Sequence, residues 1–137
     1  MKKITDNYFF NLILILFIIM LNSCADKGFQ TTEDDLAPGE FSEKIKQMPA
    51  SPIIDVRTPE EFSEGHIENA KNINWKGNDF ESRIIQVDTA APVFVYCRSG
   101  KRSGLAADKM RSMGFKKVYE LKGGISKWSE EELPVNK

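Results

Sequence analysis

"PVFVYCRSGKRSGLAADKMRSMG", Pro92 to Gly114, carries three signals in order. Val93 to Tyr96 is a short β-branched and aromatic run, the composition of a buried strand. The run stops at Cys97, and Arg98, Lys101 and Arg102 follow within five positions on a loop that also holds Ser99, Gly100, Ser103 and Gly104. Helical spacing then takes over, with Leu105 and Met113 on one side and Gly114 as the stop. A strand feeding a helix through a short loop is one step of an alternating α/β chain.

The same alternation extends in both directions. Upstream, "EFSEKIKQM" places Phe41, Ile45 and Met48 at helical spacing, and "SPIIDV" reads as a short buried strand. In "TPEEFSEG", Thr58 caps a helix, Pro59 suits its first position, and Glu61 closes a capping box three residues on. "AKNINW" reads as a strand, and "DFESRIIQV" as a helix with Phe80, Ile84 and Val87 on one face. Downstream, "KVYEL" is a strand and "GGISKWSEE" a glycine turn entering a last helix. Short apolar strands alternating with helices predict a parallel sheet covered on both faces. Such sheets bind ligands beyond the carboxyl ends of their strands, where Cys97 lies.

The N-terminus is of another kind. Lys2 and Lys3 precede ten unbroken apolar residues, Leu12 to Leu21, too few to span a bilayer and suited to the core of a secretory signal. "LNSC", Leu21 to Cys24, resembles a bacterial lipobox. That resemblance implies cleavage before Cys24 and lipidation of its sulfur. The expected organisation is a signal peptide over 1–23, a polar tether over 24–35 and a folded domain over 36–137. The mature protein is expected to be exported and lipid-anchored, facing the periplasm or the cell exterior, because more than one acyl chain anchors stably.

Composition narrows the function. Of 137 residues, 41% are hydrophobic and 28% charged, and the net charge is -1, which gives no basic footprint for nucleic acid. There are two cysteines and one histidine, His66, with no C-x-x-C pair, so a metal site lacks its ligands and no cofactor is expected. With Cys24 lipidated, Cys97 is a lone thiol in an exported protein.

Positive charge and a helix N-terminus both favour a thiolate over a thiol. Gly100 and Gly104 let the loop curl so that successive N–H groups form a nest for an anion. No histidine base precedes the cysteine, and in this setting none is needed.

"CRSGKRS" resembles the active-site loop of the rhodanese-like sulfurtransferases. "IIDVRTPEEFSEGHIENAKNIN", Ile53 to Asn74, and "LKGGISKW", Leu121 to Trp128, resemble two further blocks of that family, in the family's order. The resemblance implies a rhodanese-like three-layer sandwich around a five-stranded, mostly parallel sheet. It implies that Cys97 takes a sulfane sulfur from a small anionic donor, thiosulfate first, and passes it to cyanide or a thiol acceptor by double displacement. The amides of Arg98 to Ser103 would cradle the sulfur. Arg98 and Lys101 fall where thiosulfate-using members carry cations, and Arg102 would orient the donor or pair with an acidic residue. A monomer is expected.

Two rivals are weighed beside this. Cysteine phosphatases and arsenate reductases use C-x5-R, one residue longer, whereas here the fifth residue after Cys97 is Arg102 and the sixth is Ser103. The shorter loop suits one sulfur atom. A redox-sensing or binding module would instead oxidise its thiolate to a sulfenic acid. His66 is expected to hold its turn, Asp55 and Arg57 to serve architecture, Phe62 and Trp128 to join the core, and Trp75 to border the pocket mouth.

Overall fold

The computed structural model describes residues 33–137. Cys24, the signal sequence and most of the tether lie outside the described residues.

Among the described residues, five strands alternate with five helices: β1 (Asp35–Leu36), α1 (Pro38–Gln47), β2 (Ile53–Asp55), α2 (Pro59–Glu64), β3 (Ala70–Asn72), α3 (Phe80–Ile84), β4 (Val93–Tyr96), α4 (Lys101–Ser112), β5 (Val118–Leu121) and α5 (Gly124–Glu130). The strands form one sheet in the order β1-β5-β4-β2-β3. Every pairing is parallel, so the mostly parallel sheet expected from sequence is parallel throughout. β1 consists of two residues beside β5, with Leu36 opposite Leu121, and two residues offer no periodicity to read.

The strand pleat divides the core. Ile54, Val56, Val93, Val95 and Val118 face one side, where α3 contributes Phe80 and Ile84 and α4 contributes Ala106, Ala107 and Met110. Ile53, Phe94, Tyr96, Tyr119 and Leu121 face the other, against Phe41 of α1 and Ile125 and Trp128 of α5. Neighbours along a strand thus enter opposite layers, and both faces are covered. The result is the three-layer α/β sandwich expected from sequence.

One helical phase differs from expectation. Leu105 is 52% exposed, and α4 buries Ser103, Ala106, Ala107 and Met110 instead. These lie at i, i+3, i+4 and i+7, so the buried stripe is centred on small residues that let the helix approach the sheet closely. Apolarity alone had pointed to the leucine.

The turn after β2 is held by an ion pair. Asp55 is fully buried and Arg57 is 5% exposed. The Arg57 Nη2 donates to Asp55 Oδ2 at 2.6 Å and to the Gly65 carbonyl at 2.6 Å, while the Arg57 backbone N–H donates to Asp55 Oδ1 at 2.9 Å. One guanidinium therefore ties both ends of the segment containing α2. The Thr58–Glu61 capping box forms as predicted, with Glu61 N–H on Thr58 Oγ1 and Thr58 N–H on Glu61 Oε2. His66 stacks on the partly buried Phe62 and sets Nδ1 3.2 Å from the Phe62 carbonyl. Its backbone exchanges hydrogen bonds with Asn136, which draws the C-terminal end onto the same turn.

Candidate active site

Cys97 follows the last residue of β4 and is 1% exposed. Its Sγ lies at the mouth of the turn that enters α4. The Gly100 N–H donates to this sulfur at 3.1 Å, and the Ser103 hydroxyl lies 3.5 Å from it. Gly100 is left-handed, with φ of 98°, a conformation that L side chains rarely adopt. That residue turns the chain so that its amide points back at the sulfur. The first N–H groups of a helix have no intrahelical partner. A negative charge at such a helix start is favoured by about 0.3–1 kcal/mol.

The loop is braced from behind by α5. The Ile125 N–H donates to the Cys97 carbonyl at 2.9 Å and the Ser126 N–H to the Arg98 carbonyl at 3.0 Å. This contact explains the second glycine of the pair in "LKGGISKW". Gly124 has φ of 63°, and a Cβ there would fall 2.5 Å from the Cys97 carbonyl oxygen and closer still to the Arg98 carbonyl. Only a residue without a side chain lets the two backbones meet.

The three cations do not act alike. Arg102 makes a two-pronged pair with Glu61, Nη1 to Oε2 at 2.6 Å and Nη2 to Oε1 at 2.7 Å. Of the two roles open to Arg102 from sequence, pairing with an acid of the fold is the one seen. The Arg102 guanidinium holds the Glu61 carboxyl down to about 2, against partial burial. Glu61 thus caps α2 and anchors the loop of Cys97 with the same carboxylate. Arg98 and Lys101 are exposed. Arg98 borders a cleft of about 370 Å³ with Arg57, Glu64, Ser126 and Ser129. Lys101 and Ser99 border a second, of about 590 Å³, with Trp75, Lys76 and Leu105. Trp75 therefore does stand at a cleft beside the loop, packed edge-on against Phe80.

Sequence reasoning missed Glu120. It lies on β5, two residues after buried Val118, on the sheet face that α4 covers. Its Oε1 lies 2.8 Å from the Ser103 hydroxyl, and burial pushes its carboxyl up to about 7. A charged residue at an inward position of a period-2 strand was the available signal.

The rhodanese-like domain family matches residues 37–131. The chain belongs to the rhodanese-like family. It is 43% identical over 76 residues to the uncharacterized protein YqhL of Bacillus subtilis, covering 56% of this chain and 59% of that one. It is 33% identical over 92 residues to the thiosulfate sulfurtransferase GlpE of Pseudomonas putida, covering 66% and 81%. Among solved structures, the rhodanese-related protein of Thermoplasma volcanium superimposes with a TM-score of 0.66 at 28% identity, covering 74% of this chain and 96% of that one. The chain spans 59% of the Bacillus relative and 26% of the Scheffersomyces and Candida adenylyltransferase–sulfurtransferases that it also matches. Its relatives thus include sulfurtransferases, and its rhodanese-like domain carries a cysteine at the loop between β4 and α4.

Proposed function

We propose that the protein is a sulfurtransferase that carries a sulfane sulfur as a persulfide on Cys97. The observation that carries this reading is the setting of the Cys97 sulfur, at a strand's carboxyl end with the Gly100 amide aimed at it. The Gly100 amide supports an anionic sulfur on Cys97, and Arg98 and Lys101, exposed on the same loop, each border a neighbouring cleft where an anionic donor would be met. Thiosulfate is the donor proposed first, a choice that the name of the Pseudomonas relative also favours. In the first half-reaction the Cys97 thiolate bonds to the sulfane sulfur and sulfite leaves. In the second, cyanide or a thiolate attacks the outer sulfur and Cys97 leaves.

The test is intact-protein mass spectrometry after exposure to thiosulfate. One added sulfur, removed by cyanide and absent in Cys97→Ser, is the expected result. An added oxygen without added sulfur would refute transfer and favour a redox sensor. We also propose that lipid on Cys24 anchors the protein to a bacterial membrane on its outward side. Cys24→Ala is expected to block processing and lipid attachment, and a processed, membrane-bound variant would refute the anchor.

A further inference from the structure

Ser103 is fully buried in the first turn of α4, and its hydroxyl stands among three acceptors. Glu120 Oε1 is 2.8 Å away, the Gly100 carbonyl 3.0 Å and Cys97 Sγ 3.5 Å. A serine hydroxyl has one hydrogen and two lone pairs, so it cannot donate to all three. The state of Glu120 decides which it serves. When the carboxylate is ionised, this short, charge-assisted contact takes the hydrogen, and Oγ offers a lone pair to the Cys97 thiol. When Glu120 holds a proton, its own O–H donates to Oγ and the serine hydrogen is released to the other two acceptors, the Gly100 carbonyl and the Cys97 sulfur. The chain Cys97–Ser103–Glu120 therefore has two polarities that differ in where one proton sits.

We propose that Glu120 is a positioning residue for the nucleophile: through Ser103 it shares one proton with Cys97, taking it as the thiol becomes the attacking thiolate and returning it as Cys97 leaves the persulfide. This rests on the sulfur-transfer reading above. In the first half-reaction the Cys97 S–H proton passes to Ser103 Oγ while the Ser103 hydrogen passes to Glu120 Oε1. The Cys97 sulfur then bonds to the sulfane sulfur of the donor, and the bond from that atom to sulfite breaks with its electron pair leaving on sulfite. In the second, the acceptor bonds to the outer sulfur, the S–S bond breaks with its pair on Cys97 Sγ, and the chain runs back. No outside oxidant or reductant enters.

The surroundings suit a shared proton. Asp35, the neighbour of Glu120 across β1, and Asp108 of α4 both disfavour a second negative charge there. Arg111 of α4 favours it, but that guanidinium is engaged by Asp108 and by the Val118 carbonyl. Asp34 and Lys117, at the starts of β1 and β5, pair with each other. On β4 the neighbour of Glu120 is apolar Val95. On the thiol side, the Arg102 guanidinium is near enough to interact with Cys97, and Glu61 holds it. Burial pushes the Glu120 carboxyl up to about 7, so the proton is exchangeable near neutral pH.

Two groups that share a proton titrate together, in macroscopic steps belonging to the pair. The test is iodoacetamide alkylation of the full-length protein between about pH 5 and pH 9, read by mass spectrometry on the Cys97 peptide. Two steps are expected in the wild type. Glu120→Gln, isosteric and uncharged, is expected to show one step, with alkylation on the alkaline limb changed about tenfold for each pKa unit of coupling removed. Ser103→Ala is expected to bring the two steps together. A single step in the wild type, unchanged by Glu120→Gln, overturns the proposal. So do two steps that persist unaltered in Ser103→Ala, since Glu120 is then only a nearby charge. Carboxyl-carbon NMR of Glu120 gives an independent readout: two steps in the wild type and one in Cys97→Ser. Alkylation requires no sulfur donor. A protein that shows the paired titration but accepts no sulfur refutes the sulfurtransferase reading alone. A protein that transfers sulfur with an uncoupled Cys97 refutes the shared proton alone.

Discussion

Gly124→Ala is expected to damage the domain and the site together, because Gly124 sits where α5 presses on the backbone of the cysteine loop. Its φ of 63° is strained for alanine by about 1–2 kcal/mol. The added Cβ would meet the Cys97 and Arg98 carbonyl groups, which are backbone and cannot rotate aside. Relieving that overlap takes a movement of more than about half an ångström, at a cost of about 1–3 kcal/mol for an overpacked contact. The combined loss is about 2–5 kcal/mol, and in a domain of this size each kcal/mol lowers Tm by about 4–8 °C. The displaced groups include the Cys97 carbonyl that accepts from Ile125 and the Arg98 carbonyl that accepts from Ser126. On the proposed mechanism, a shift of this order at Cys97 is expected to slow persulfide formation about tenfold or more. The assay pairs thermal unfolding by circular dichroism with quenched mass spectrometry of the first half-reaction. Gly39→Ala is the control, since nothing lies within 4 Å of a Cβ placed there and the residue is helical. It is expected to be neutral or stabilising by up to about 1 kcal/mol. A Gly124→Ala protein that melts and reacts like the wild type would refute the claim that α5 holds the loop in place.

Two further outcomes follow from the charged pairs. Arg102 holds the Glu61 carboxyl at about 2, below its ordinary value, so the stability from this pair is complete above about pH 4.5 and is lost as pH falls toward 2. Glu61→Gln should therefore cost about 1–2 kcal/mol near pH 6 and almost nothing near pH 2, with the pair partly exposed and screened. Urea unfolding at both pH values checks this, and a cost independent of pH would refute the pairing as its source. Arg57→Met leaves the fully buried Asp55 without its cation and should cost about 3–5 kcal/mol. A thermal melt lowered by less than about 5 °C would show that Asp55 finds another partner.

Much of this domain was legible because its signals are local. The capping box at Thr58 and Glu61, the glycine entering α5 and the apolar runs at Ile53 and Val93 each act within a few residues. Leu105 was misplaced because a helix presents its small residues where the sheet is close, and that distance is not a property of the helix. From sequence Arg102 has two roles open to it, because its partner, Glu61, lies 41 residues away in the chain.

The sequence by itself determined the alternation of strands and helices, the position of Cys97 at the end of a strand and the need for glycine at the turns. All of these depend on backbone conformation and near-neighbour spacing. Only the tertiary structure decided which cations of the cysteine loop are engaged by the fold and which stand exposed. Glu61 withdraws Arg102 into a structural pair and leaves Arg98 and Lys101 exposed. Only the tertiary structure set Glu120 of β5 against Ser103 of α4, behind the sulfur. Charge interactions and hydrogen bonds fall off over a few ångström, so they are settled by the packing of elements far apart in the chain.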